Sequence, residues 1–210
     1  QAYFGYQTLG IFQNAEEVSK APVQFGSKTT APGDIRYADV SGPAGTPDGI
    51  IDANDRVVIG NPYPKWIYNF NLNLEYSGFD FSVQFQGLGG VDRLLNGNGQ
   101  LPMVDDRNNV LSYWINRWTP ENPSTVLPRL GGNNNQQVSD FYIQDASFLR
   151  LKNVEIGYAL PAKLMNKVKI QKLRIFLSGQ NALTFTKLKD FDPERNSGQN
   201  TDRLTPLYKV

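Results

Sequence analysis

Histidine and cysteine are both absent from the 210 residues, so any chemistry must run on carboxylates, lysine, tyrosine and amides. The Ser-His-Asp triad, the two-histidine zinc helix, thiolate metal sites and a cysteine nucleophile drop out together. Two carboxylate groupings remain. Calcium takes about six to eight hard oxygens, supplied by carboxylates at alternate positions around a tight glycine turn. Asp39, Ser41, Asp48, the Ile50 carbonyl, Asp52 and Asp55 offer such a set, with Gly49 at the turn, although Pro43–Pro47 interrupts it. The competing reading is an Asx-rich turn whose carboxylates cap backbone N–H groups. The second grouping is Asp190, Asp192 and Glu194. Glycoside hydrolysis needs two carboxyls facing each other across a cleft, which acids alternating in a loop do not provide. The chain is therefore expected not to be an enzyme.

Charge removes a further class. Lys+Arg is 21 and Asp+Glu 20, a formal net charge of +1, without the basic excess that a nucleic-acid binder carries. No stretch approaches the roughly 20 apolar residues of a transmembrane helix. The mean hydropathy of −0.44 is polar, but a membrane β-barrel also averages polar, because its lipid-facing and lumen-facing residues alternate. Gln1-Ala-Tyr-Phe-Gly has neither the charged start nor the apolar core of a signal peptide. The expectation is a cytosolic protein, or the mature or internal part of a longer one.

The elements that must position these residues are mostly strands. Gly 19 and Pro 13 point to many turns. Asn14 as N-cap with Glu17 three residues on predicts a short helix over 14–20. From Pro22 to Pro64 the prolines predict loop. The strongest periodic signal follows. Trp66, Tyr68, Phe70, Leu72, Leu74 and Tyr76 share one strand face, and Asn69, Asn71, Asn73 and Glu75 the other. After Ser77-Gly78, Phe79, Phe81, Val83 and Phe85 alternate with Asp80, Ser82, Gln84 and Gln86, which predicts a β-hairpin. A long Gly/Asn-rich stretch over 88–146 holds a short helix near Asn109–Trp118, with Trp114 and Trp118 on one side. Strands are predicted again at Ser147–Leu160, with a bulge near Lys152-Asn153, and at Leu173–Leu183. Leu207–Val210 reads as the start of another strand. Lys163, Lys167, Lys169 and Lys172, on the connector Ala162–Lys172, read as a solvated turn.

The hairpin alone fits either a soluble sandwich or a barrel in lipid. Aromatics rim both ends of its apolar face, and strands of about nine or ten residues come close to a tilted membrane crossing. Link lengths favour the barrel. Ser77-Gly78 and Ala162–Lys172 are short, whereas 14–65, 88–146 and 184–206 are long. Short and long links alternate, as periplasmic turns and extracellular loops do in an outer-membrane barrel. In that setting Asn69, Asn71 and Asn73 face the lumen, where amides suit hydroxyl-rich or peptide ligands. Trp114 and Trp118 are further candidates, as stacking platforms or partner anchors, the competing reading being the buried side of a loop helix.

Several segments resemble the C-terminal part of SusC-like (SusC/RagA) TonB-dependent outer-membrane transporters of Bacteroidetes. They are GDIRYADV (33–40), DGIIDANDRVVIGNPYPKWIYNFNLNLEYSGFDFSVQFQG (48–87), SFLRLKNVEIGYALP (147–161) and LRIFLSGQNALTFTKLKDFDPE (173–194). The resemblance implies an all-β fold: residues 1–210 form a segment of an antiparallel transmembrane β-barrel with long extracellular loops, supplying about five of some 22 strands. It implies import of oligosaccharides or peptides across the bacterial outer membrane. It also implies a SusD-like lipoprotein lid, a plug inside the same barrel, outer-membrane lipid around it and a TonB complex engaged through an N-terminal region. The sequence departs from the family in carrying no plug, no TonB box and no final aromatic-ended strand, so the expectation is a fragment of a longer polypeptide. The alternatives are a soluble secreted β-sandwich that binds glycans with a structural calcium, and a passive porin.

Overall fold

The computed structural model describes residues 2–26, 29–94, 112–167, 169–188 and 192–194. Asp190, the Leu207–Val210 strand and the first residues of the expected Asn109–Trp118 helix lie outside them. The chain divides into two compact units, one drawn mainly from Gln1–Pro62 and Asp92–Gln144, the other from Tyr63–Val91 and Asp145–Glu194.

The first unit is built from short pieces. Strands β1 (Tyr3–Gly5), β2 (Thr8–Ile11), β3 (Val23–Gln24), β4 (Ile35–Tyr37), β5 (Ile50–Ile51) and β6 (Val57–Gly60) pair two by two. β1 runs antiparallel to β6, β2 antiparallel to β4, and β3 parallel to β5. The proline-broken stretch expected to be loop therefore contains four strands, each too short to show a period. Helix α1 (Ala15–Lys20) forms where expected: Asn14 Oδ1 accepts the Glu17 amide at 2.9 Å, and Glu17 reaches back to the Gln13 amide, also at 2.9 Å. The core is small and aromatic. Tyr6, Ile35, Tyr37 and Ile51 are buried with Phe25 and Phe141 against them, and the Tyr6 and Phe25 rings meet edge to face at 4.9 Å.

Polar side chains complete what so few strands leave unpaired. Buried Gln24 accepts the Tyr37 amide at 2.9 Å and donates to the Ile35 carbonyl at 3.1 Å. Asn135 accepts the Ile35 amide at 2.7 Å. Asp34, fully buried, binds Arg129 through both carboxylate oxygens, at 2.6 and 3.0 Å. The Tyr142 hydroxyl donates to the Asn135 carbonyl, and burial pushes its pKa well above the ordinary phenol value.

The second unit is one antiparallel sheet. After β7 (Trp66–Tyr76) and β8 (Phe79–Gly89) the chain passes through the first unit, where β9 (Asp92–Leu94) pairs with β10 (Ile143–Asp145), and then forms β11 (Phe148–Ala159) and β12 (Arg174–Thr186). The four long strands lie in the order β12-β11-β8-β7. The hairpin has the expected register, from Tyr76 opposite Phe79 to Trp66 opposite Gly89. Its turn is two residues with positive φ at both, Ser77 at 49° and Gly78 at 87°, the mirror-image turn whose twist matches that of the strands. The bulge forms too: register shifts between Leu151 and Asn153 against both neighbours, and Lys152 is the extra residue relative to β8. It returns Val154, Ile156 and Tyr158 to the same face as Leu149 and Leu151. Pro161 then leads into helix α2 (Ala162–Lys167) on the short connector to β12.

Candidate functional site

Register carries the alternation of the hairpin across all four strands. One face bears Tyr68, Phe70, Leu72 and Leu74, then Phe81, Val83 and Phe85, then Leu151, Val154 and Ile156, then Leu177 and Leu183. It is not covered: Phe70 is 57 % exposed and Leu177 74 %. A soluble sandwich would bury this face under a second sheet. Among the described residues no second sheet lies over it.

The opposite face is polar. Asn69, Asn71, Asn73 and Glu75 stand opposite Gln86, Gln84, Ser82 and Asp80, so the three candidate asparagines share one exposed amide-rich surface. Asn153 on β11 extends it by donating to Gln84 Oε1 at 3.0 Å. Carboxamides both donate and accept, so such a wall can hold hydroxyls and peptide groups without demanding a fixed charge.

Two arginine clusters on this face escaped the sequence reading. The Arg174 guanidinium binds Asp80 through Nε at 2.9 Å and through Nη2, and the same Nη2 binds Glu155. One side chain on β12 thus bridges to β11 and β8. Gly157 makes room for it: a Cβ there would stand 2.4 Å from Arg174 Nη2 and 2.6 Å from the Asp80 carboxylate. Beside this cluster, a hollow of about 650 Å³ at the hairpin end is lined by Glu75, Asp80, Lys172 and Arg174 among others. Further along, buried Arg150 donates to Thr184 Oγ1 at 2.9 Å, to Asp192 at 2.7 Å and to Glu194 at 2.6 Å, and Lys152 joins Glu194 at 2.7 Å. Burial alone would raise the pKa of the Asp192 carboxyl, but its bonds with Arg150 and the Glu194 amide outweigh that and hold it below the ordinary range. A glycosidase acid needs a raised carboxyl, which Asp192 does not have. Asp192 and Glu194 both pair with Arg150 and tie its strand to the segment that follows β12. The signal for both clusters was present in the sequence, since Asp80, Glu155, Arg174 and Arg150 all have polar parity.

The other candidates land in the first unit. Asp39 accepts the Asp48 and Gly49 amides at 3.3 and 2.7 Å, and Asp48 accepts that of Ile50 at 3.0 Å. Asp52 accepts the Asn54 amide at 2.8 Å. Asp55, fully buried, accepts those of Val40, Ser41 and Asp52 at 2.8, 3.1 and 2.8 Å. Asp39, Ser41, Asp48, Ile50, Asp52 and Asp55 thus lie together in one network of Asx turns and caps. Among the described residues no group of three or more acidic side chains is placed to hold a metal ion. Trp114, in a 3₁₀ turn over Ser112–Asn116, and Trp118 are 3 % and 8 % exposed. Both indoles are buried in this conformation, as the competing reading has it.

Comparison with known proteins gives a consistent neighbourhood. No family model matches the chain. TonB-dependent receptors P3 and P26 of Formosa agariphila are 33 % and 31 % identical over 93 % and 94 % of it. TonB-dependent receptor SusC of Bacteroides thetaiotaomicron is 26 % identical over 72 %. The chain spans only 18 %, 20 % and 15 % of these three relatives. Among solved structures, the RagAB peptide importer in its open-open state superposes with a TM-score of 0.64 at 25 % identity, over 91 % of this chain and 19 % of that one. Another structure of the RagAB peptide transporter gives a TM-score of 0.67 at 24 % identity.

Proposed function

Starting from a chain homologous to about a fifth of the SusC-like TonB-dependent receptors, we propose that it forms wall strands and outer loops of an outer-membrane importer. The observation that carries this is the sheet itself: four long antiparallel strands with an uncovered apolar face and a polar, amide-rich one. The apolar face meets lipid. The other lines the lumen, where Asn69, Asn71 and Asn73 border the path of an oligosaccharide or a peptide. A peptide importer among the structural neighbours supports the peptide class, and the hydroxyl-compatible amides of the wall support the oligosaccharide class. The long links between strands belong to the extracellular side, where a SusD-like lipoprotein closes over the cargo. Energy comes from a TonB complex acting on a plug in the same barrel. The Asp39–Asp55 network stiffens its loop through backbone amides, and calcium is not needed for that role.

The test is fractionation and mass of the protein that carries these residues, taken from its native host. Recovery from the outer membrane only in detergent, in a polypeptide several times 23.5 kDa and together with a surface lipoprotein, is the expected result. A 23.5 kDa protein soluble without detergent overturns it.

A further inference from the structure

The connector between β11 and β12 carries a charge pattern that transport does not use. Residues 162–173 contain Lys163, Lys167, Lys169 and Lys172 and no acid. Lys172 lines the hollow on the polar face with Glu75 and Asp80. Lys163, Lys167 and Lys169 are exposed, and none of the three pairs with a carboxylate among the described residues. Apolar side chains are exposed among them, Leu164 at 51 % and Ile170 at 43 %, while Met165 turns inward. Lys169 sits at φ 56° just past the end of α2, where the Ile170 amide closes onto the Met165 carbonyl at 3.1 Å. Glycine is the usual residue at such a cap, and here a lysine occupies it.

Position gives the pattern its meaning. Tyr76, Phe79 and Tyr158 stand in register at the end of the apolar face, with the Phe79 and Tyr158 rings 4.4 Å apart. Such an aromatic row marks the level of the membrane interface. The connector begins at once beyond it, where the Ala159 amide bonds to Gly78 and the Leu160 amide to Leu173. On the membrane-barrel reading above, three unpaired ammonium groups and two exposed aliphatic side chains therefore lie at headgroup depth. We infer that Lys163, Lys167 and Lys169 hold the headgroups of anionic phospholipids in the leaflet on the short-turn side. Ammonium groups bind phosphate there as point charges, and Leu164 and Ile170 settle among the first acyl carbons.

The experiment uses the full-length receptor purified in mild detergent, titrated with dioleoyl phosphatidylglycerol or dioleoyl phosphatidylcholine and read by native mass spectrometry. The expected result is retention of the anionic lipid over the zwitterionic one. Exchange of all three lysines for glutamine lowers that retention about tenfold or more, while exchange for arginine preserves it. Equal retention of the two lipids, or a glutamine variant that retains phosphatidylglycerol like the wild type, overturns the inference. So does full displacement by millimolar inorganic phosphate, which marks a free-anion site. A receptor that needs no detergent fails earlier and sinks the barrel reading instead.

Discussion

Arg150 shows how a charge stays inside a strand. Its guanidinium is buried, and Thr184, Asp192 and Glu194 accept from it. Breaking a fully buried pair costs about 3–5 kcal/mol, and because both carboxylates keep some exposure we expect about 2 kcal/mol for Arg150→Ala. The loss is measurable as a lower unfolding temperature of the detergent-solubilised receptor. The sign of the pH dependence follows from Asp192, whose folded pKa is depressed. Its stabilisation is complete above the ordinary aspartate range and disappears as pH falls through the depressed value. Asp192→Asn should therefore lower stability at neutral pH and flatten its decline in acid, which a thermal melt at several pH values will register. On the same face, Gly157→Ala drives a methyl into the Arg174–Asp80 pair. Overpacking of that kind costs about 1–3 kcal/mol. If the alanine variant melts with the wild type, Gly157 is not what seats the guanidinium.

The strands differ in how much of themselves they announce. β7 and β8 were legible almost to the residue, because eleven-residue alternation and a two-residue turn leave one register. The bulge in β11 was legible as a parity conflict between Leu151 and Val154. The strands of the first unit were not legible. β3 and β5 are two residues each, and what holds β4 and β2 comes from far away in sequence: Asn135 on the Ile35 amide and Asp140 on that of Thr8. Local pattern cannot report a partner a hundred or more positions distant. The arginine clusters needed strand register as well as parity, and the burial of Trp114 and Trp118 is a tertiary property that left two readings open. The asparagine row was readable because parity alone places it. The turn offers an elemental test. Ser77 holds a positive φ that asparagine adopts more easily, so Ser77→Asn should raise stability by a few tenths of a kcal/mol, and Gly78→Val should lower it by about 1–2 kcal/mol. Equilibrium unfolding of the two variants decides it.

Taken together, the two faces of the sheet separate two solvents, and exchanging their chemistry tests the arrangement as a unit. Phe70 and Asn71 are neighbours on β7 that point opposite ways. Arginine at Phe70 would place a charge in hydrocarbon, at a cost of about 2–4 kcal/mol near the bilayer midplane. Arginine at Asn71 would meet water and amides. The expected outcome is a folded, heat-modifiable band for Asn71→Arg and its loss or weakening for Phe70→Arg. Equal behaviour would show that the apolar face does not meet lipid.

The order β12-β11-β8-β7 leaves the outer margins of β7 and β12 without hydrogen-bonded neighbours among the described residues. Each margin is a row of unsatisfied peptide groups, and the flanking side chains on one face are greasy. In water, two copies of such a sheet answer each other's need. Expressed on its own, this stretch should zip edge to edge into insoluble cross-β aggregates, and it should become tractable only when neighbouring strands are supplied in the same polypeptide.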